Sequence, residues 1–175
     1  MILAPKIMLA LMFIPLAAAI IYMDVRHRRI PNKLVFSVIV AGITLNTLVA
    51  GAYGLGFSVA GLLLAFGLMF ILHVFGTMGA GDVKLFAAVG SLVGVSHVLP
   101  TLLIVALTGA VFAICKMIYA RRVGRTMVGV MHFFYGLLPG QAIPHFEVPG
   151  DGSNTLPYAI PICFGALISI FLFGA

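Results

Sequence analysis

Long apolar segments dominate the chain and restrict it to a membrane fold. A helix that crosses a bilayer needs roughly 20 predominantly apolar residues, and this chain contains one such segment after another with short polar interruptions. Only 8% of its residues are charged, against about 25% in ordinary soluble domains. The polar residues are therefore too few to cover a globular surface. We predict an all-α polytopic membrane protein.

Five apolar segments predict about six transmembrane helices. Segment 85–120 is too long for one span, and Pro100 disfavours helix continuation before it, which predicts a break into two helices. The predicted spans are 3–23, 34–50, 55–75, two within 85–120, and 156–173. Residues 1–175 are accordingly predicted to form a single membrane-embedded domain with a polar loop at about 121–155.

The cations lie on one side of the predicted spans. Nine of the ten Lys and Arg residues fall in or beside segments 24–33, 76–84 and 121–155, whereas Lys6 lies on the opposite side. Cytoplasmic loops carry an excess of Lys and Arg, so these segments are predicted to be cytoplasmic and both termini to lie outside the cytoplasm. This orientation and anionic membrane lipids account for the net charge of +6. We therefore expect lipids, and no nucleic acid, as partners of the basic segments.

Only four acidic residues are present, and two of them follow predicted spans on the same side. Glu147 and Asp151 belong to the predicted loop and are expected to be solvated, whereas Asp24 follows the first span and Asp82 lies between the third and fourth. Ionisable groups at a membrane boundary are functional candidates. Two neighbouring carboxylates retain a proton between them, so one can activate water while the other protonates a leaving group.

The surroundings of the two aspartates leave alternatives open. Gly79 and Gly81 would let an extended substrate backbone approach Asp82 and would permit unusual backbone angles. Asp24 could instead pair with Arg28 one helical turn further on. A small proton-coupled transporter would use the same two acids as proton or cation ligands, and a purely structural assembly subunit would not need them.

No metal or cofactor site is predicted. The histidines are scattered without metal-ligand spacing. Cys115 and Cys163 are the only cysteines, and they lie too far apart in sequence for a zinc-type pair.

Two motifs resemble those of the type IV prepilin peptidases. Segment 24–34, DVRHRRIPNKL, matches that family's D-x6-P-N motif, and segment 79–85, GAGDVKL, matches its GxGD motif. The tetrapeptide LPYA at 156–159 is also similar to the start of the family's last span. The resemblance implies a membrane aspartic endopeptidase with Asp24 and Asp82 as the catalytic pair. The supporting residues that it implies are Gly79, Gly81, Lys84, Pro31 and Asn32.

The supporting residues have simple expected roles. Pro31 and Asn32 are expected to end the turn after the first span and to orient the second span. Lys84 is expected either to tune the charge of Asp82 or to reach the headgroups.

The chain is most similar to the short TadV/CpaA-like branch of that family, because it begins with its first span and contains no CxxC pair. The resemblance implies a bacterial inner-membrane enzyme that cleaves Flp-type prepilins, without a methylation domain and without methyltransferase activity. The implied substrate is a precursor with a short basic leader followed by a hydrophobic helix, cut on the cytoplasmic side. An archaeal-type preflagellin peptidase is the alternative within the family.

Overall fold

The computed structural model describes residues 3–76, 78–119 and 158–173, and every regular element in these ranges is helical. The helices are α1 (Leu3–His27), α2 (Asn32–Val74), α3 (Ala80–Val93), α4 (Val98–Tyr119) and α5 (Ala159–Phe173), with a 3-10 turn at Val95–His97. The all-α prediction is confirmed. Three segments are long and apolar enough to cross a membrane, namely Ile7–His27, Asn32–Val74 and Val95–Tyr119, whereas α3 and α5 have 14 and 15 residues.

The chain divides into two compact units. The first consists of Met1–Gly109 and Pro157–Ala175, and the second of Ala110–Leu156, of which the structure describes the last part of α4. The predicted loop at about 121–155, with Glu147 and Asp151, lies outside the described residues. The assignment of 1–175 to a single domain stays a prediction.

Helix α2 is a hairpin of two helical arms. A straight helix of its 43 residues would be about 64 Å long, roughly twice the thickness of a bilayer core. However, the Asn46 side-chain amide donates a hydrogen bond to Ser58 Oγ at 2.8 Å, which a straight helix could not bring together. The reversal occurs at Gly51, whose φ of 59° and ψ of −139° leave the helical region. The arms on either side of Gly51 correspond to the predicted second and third spans.

Helix α3 is the most buried element of the first unit. All of its residues from Val83 to Val93 except the exposed Lys84 are buried, and it contacts both α2 and α5. Glycines allow the close approach to α2, because a Cβ added at Gly90 would lie 2.5 Å from the Gly61 carbonyl oxygen and 2.5 Å from the Ala65 Cβ. Small residues at helix contacts are the usual means of packing helices closely in a membrane.

Asn46 links the α2 hairpin to the far end of α3. Besides its bond to Ser58, its side-chain amide donates to the backbone carbonyls of Ser91 and Leu92, each at 3.1 Å. The asparagine is 6% exposed, so these acceptors supply the hydrogen bonds that a buried amide requires.

The predicted break at Pro100 is wrong in position. The chain leaves the helical path at Gly94, with φ of 73°, and α4 already begins at Val98. Pro100 lies in the first turn of α4, where a missing N–H removes no helical hydrogen bond. The division of 85–120 into two helices is nevertheless confirmed, and the left-handed glycine rather than the proline makes the turn.

Three helix ends meet at one end of the first unit. Helix α1 ends at His27, after which Arg28 takes a left-handed φ of 50°. Pro31 then has an extended conformation and precedes α2, and its carbonyl accepts hydrogen bonds from the N–H groups of Leu34 and Val35. Helix α5 packs against α1 and α3, which brings its N-terminal residue Ala159 to Asp24.

Candidate active site

The two aspartates line one cavity, which we call the dyad cavity. Asp24 is in the last turn of α1 and Asp82 is in the first turn of α3. The cavity has a volume of about 370 Å³. Its lining residues are Asp24, Arg28, Arg29, Ile30, Asn32, Gly79, Gly81, Asp82 and Lys84. The fold therefore brings together two carboxylates that are 58 residues apart in sequence.

Asp24 is held by a backbone group from the other end of the chain. The Ala159 N–H donates a hydrogen bond to Asp24 Oδ2 at 3.3 Å. Ala159 is the first residue of α5 and is completely buried, so its N–H is one of the helix-end donors that lack a partner within the helix. The positive end of the α5 dipole favours a negative charge at this position.

The bond between Asp24 and Arg28 runs through the backbone. The Arg28 N–H donates to the Asp24 carbonyl oxygen at 2.9 Å, as expected at the end of a helix. The Asp24 carboxylate instead faces Ala159 and the dyad cavity. An Asp24–Arg28 side-chain pair is the structural alternative, and the structure shows the Asp24 carboxylate bound to the Ala159 N–H.

Asp82 lies outside the candidate membrane spans, and its carboxyl group interacts electrostatically with that of Asp24. Burial of the carboxyl group and, to a smaller extent, the negative charge of Asp24 together raise the pKa of Asp82 to about 6, against the opposing effect of a hydrogen bond from the Gly79 N–H. An ordinary aspartate titrates near 3.8. Mutual repulsion between two close carboxylates is the arrangement that lets one of them retain a proton.

The two glycines of the GxGD motif leave space beside the acid. A Cβ added at Gly79 would lie 3.0 Å from Asp82 Oδ2, against the carboxylate itself. A Cβ at Gly81 would meet only Ile30, at an ordinary contact distance of 3.6 Å. The expected use of unusual backbone angles is wrong, since Gly79 has φ of −73° and ψ of 146° and Gly81 is helical. Their contribution here is open space on the cavity wall.

Lys84 and Asn32 connect the two motifs. Lys84 Nζ donates to Asn32 Oδ1 at 3.3 Å, and both residues line the dyad cavity. The lysine therefore contacts the asparagine of the first motif, a partner that sequence reasoning did not identify. Pro31 is not among the cavity-lining residues. It directly precedes α2 in an extended conformation, and its carbonyl accepts hydrogen bonds from the first turn of that helix.

The contribution of α5 to Asp24 was not predicted. The donor is a backbone N–H, so no side chain identifies it in the sequence. The available signal was the position of Ala159 at the start of an apolar segment, two residues before Pro161, since proline in a first turn marks a helix N-terminus.

Among residues 3–76, 78–119 and 158–173, no group of three His, Cys, Asp or Glu side chains is arranged to hold a metal ion. The dyad cavity offers two carboxylates, backbone N–H groups and nearby cations. Such a set can exchange protons with a bound water molecule and with a peptide group.

Comparison with known proteins gives one family match. Residues 11–114 match the family model described as the type IV leader peptidase family. The matched range covers more than half of the chain and includes both aspartates and both motifs. No curated protein and no solved structure matches the chain significantly.

Proposed function

We propose that this chain, which belongs to the type IV leader peptidase family, is a membrane aspartic endopeptidase that uses Asp24 and Asp82 as its catalytic pair. Family membership supports a peptidase with a leader-bearing peptide as substrate. The observation that carries the aspartic mechanism is the convergence of the two carboxylates on one cavity at the ends of α1 and α3.

The mechanism needs one proton shared by the two carboxyl groups. The ionised carboxylate accepts a proton from water, and the water oxygen attacks the peptide carbonyl carbon. The protonated carboxyl group stabilises the developing oxyanion, and a proton is then delivered to the leaving amine as the C–N bond breaks. The raised pKa of Asp82, about 6, supports this division, because it keeps the pair from ionising completely under mildly acidic conditions.

The open side of the cavity suits an extended peptide. Gly79 and Gly81 present no side chains toward the cavity, so a substrate backbone can lie close to Asp82. A helical segment must be locally extended before a peptidase can reach its carbonyl, since the helix's own hydrogen bonds occupy that group.

We further propose a six-span topology with the dyad cavity at the cytoplasmic side. The two arms of α2 count as two spans, α1, α4 and α5 supply three more, and the part of α3 from Leu85 onward supplies the sixth, so that Asp82 precedes it. The cations of segment 24–33 and Lys84 lie at the same end as the aspartates, which agrees with the positive-inside rule. The protein would then reside in the bacterial inner membrane, with both termini outside the cytoplasm.

The proposed substrate is an Flp-type or other type IV prepilin with a short basic leader and a hydrophobic helix. Cleavage would occur where the leader meets the membrane, at the level of the dyad cavity. We attribute no N-methylation to these 175 residues, since they contain no CxxC pair.

The test is cleavage of a precursor by the purified protein. Asp24→Asn and Asp82→Asn are each expected to reduce cleavage by at least about a thousandfold, because either change removes one member of the acid–base pair. Asp151→Asn is the matched control, because we predict that acid to be solvated in the loop. Undiminished cleavage by either dyad variant would refute the mechanism, and a wild-type protein that leaves every precursor uncut would favour the transporter alternative.

A further inference from the structure

An apolar groove lies between the two arms of α2 and helix α3, and we call it the α2–α3 groove. Its volume is about 580 Å³, within the range of ligand-binding pockets. Phe36 and Ile39 line it from the first arm, Leu62 and Phe66 from the second, and Ala87 from α3. The two rings are accessible, with Phe36 66% and Phe66 41% exposed.

The groove adjoins the dyad cavity. Asn32 and Lys84 line both, and the Lys84 Nζ to Asn32 Oδ1 hydrogen bond lies at their common boundary. A peptide chain whose scissile bond lies beside Asp82 must leave the dyad cavity in two directions. A chain that crosses Asn32 and Lys84 would pass from the dyad cavity into the apolar groove.

We propose that the α2–α3 groove binds the apolar segment of the substrate that follows the scissile bond. This inference rests on the proposed peptidase function and adds the residues that determine specificity downstream of the cut. Phe36 and Phe66 are the main contacts, because aromatic rings offer large, rigid apolar surfaces to a bound chain.

The lining of the groove bears on the direction in which the substrate would lie. Lys33 and Lys84 lie at the end of the groove nearest the dyad cavity, and both are exposed. They would repel the cations of a basic leader, whereas an apolar segment carries no charge to be repelled. Arg28 and Arg29 line the dyad cavity as well, so repulsion of the leader is not confined to the groove. The apolar lining of the groove is what favours the apolar segment over the charged leader there.

The length of the groove limits how many residues of an extended substrate it can hold. From Asn32 to Ile39 the first arm rises about 10 Å, which corresponds to about three residues of extended chain. The groove would hold these residues extended next to the cut and release the rest of the apolar helix into the membrane. An extended segment is also the form in which the peptide carbonyl at the dyad is accessible.

Kinetics provide the first test. The probe is a synthetic peptide with a short Lys/Arg leader followed by about 20 apolar residues. Phe36→Ala and Phe66→Ala are each expected to raise KM about three- to tenfold, with kcat unchanged, because packing contacts in a membrane are individually modest. Phe171→Ala is the matched control, since Phe171 is a similarly exposed ring (58%) on α5 and does not line the groove.

Cross-linking provides a test that needs no cleavage. In an Asp82→Asn, Cys115→Ser background, Phe36→Cys is expected to cross-link to a probe peptide carrying cysteine two or three residues after the cleavage site. Phe171→Cys is expected not to cross-link. Cross-linking at residue 36 but not at 171 supports the proposal whatever the catalytic mechanism.

The outcomes distinguish failure of the groove proposal from failure of the proposed peptidase function. If the wild type cleaves the probe while both groove variants retain its KM and residue 36 forms no cross-link, the groove proposal is overturned and the peptidase proposal stands. If the effect of the groove substitutions on activity depends on the acyl-chain length of the lipid and KM for the peptide does not change, the occupant is a lipid and the proposal is likewise overturned. If the wild type does not cleave, the proposed function fails, and the cross-linking result alone decides for or against the groove.

Discussion

Replacing Asp82 by asparagine is expected to stabilise the fold at neutral pH while it abolishes cleavage. The change is nearly isosteric, and the asparagine oxygen can still accept the hydrogen bond from the Gly79 N–H that Asp82 accepts. What the change removes is a partly buried negative charge next to the Asp24 carboxylate. Both burial and that neighbouring charge raise the pKa of Asp82, so both oppose its ionised form.

The magnitude follows from the pKa. A shift from 3.8 to about 6 corresponds to roughly 3 kcal/mol in the free energy of unfolding once the group is fully ionised. Asp82 is only partly buried, so solvent screening reduces this value, and we expect about 1–2 kcal/mol. For a chain of this length that is a rise in Tm of about 2–8 °C.

The pH dependence identifies the cause. Below about pH 4 the carboxyl group is protonated in the folded and the unfolded protein, so it contributes no difference. Between about pH 4 and 6 the folded protein binds more protons than the unfolded one, and wild-type stability therefore falls as the pH rises. Above about pH 6 the carboxyl group is ionised in the folded protein as well, so the full destabilisation by its buried charge is present. The Tm of Asp82→Asn should consequently exceed that of the wild type at pH 7.5 and should converge with it near pH 4.

The assay is thermal unfolding of both proteins in the same detergent from pH 4 to 8, with precursor cleavage measured on the same samples. A variant that is inactive and less stable than the wild type at pH 7.5 would refute the reasoning. So would a Tm difference that does not change with pH, since packing rather than charge would then be its source.

Three further predictions concern catalysis, packing and topology. The kcat/KM for cleavage should decline above about pH 6, approaching tenfold per pH unit. Asp82 has a pKa of about 6, so at higher pH it loses the proton that the pair needs. A kcat/KM that stays constant between pH 6 and 8 would contradict this. Gly54→Ala should destabilise the α2 hairpin by at least about 2 kcal/mol in the same unfolding assay, because its Cβ would lie 1.8 Å from the Asn46 carbonyl oxygen. Gly56→Ala is the control and should be neutral or slightly stabilising, because a Cβ at Gly56 would have nothing within 4 Å. Single cysteines in 26–33 and 121–155 should react with membrane-impermeant reagents only from the cytoplasmic side, and labelling from outside would overturn the topology.

The sequence was sufficient to predict the helical membrane fold and the convergence of the two motifs. Apolar segments of spanning length are a strong signal in a chain with few charges, and the acids are so scarce that Asp24 and Asp82 stand out. Their placement at the ends of helices on one side follows from counting spans. The structure then places both in the same cavity.

Contacts made by backbone groups could not be predicted in this way. The Ala159 N–H reaches Asp24 because α5 packs against α1, and no residue type records such a donor. The turn at Gly94 was missed because proline is the stronger local signal, although Pro100 is tolerated in a first turn. The Lys84–Asn32 bond depends on how α2 and α3 pack together, which neither motif reveals alone.

The Asn46 contacts have a consequence for the alignment of Asp82 with Asp24. Asp82 lies near one end of α3, and the Ser91 and Leu92 carbonyls that bind the Asn46 amide lie near the other. A slip of α3 along its axis by one residue, about 1.5 Å, would displace Asp82 relative to Asp24 and would also move the Ser91 and Leu92 carbonyls away from the Asn46 amide, where no water replaces them. An uncharged amide at the far end of the helix thus fixes the axial register at which the two carboxylates meet.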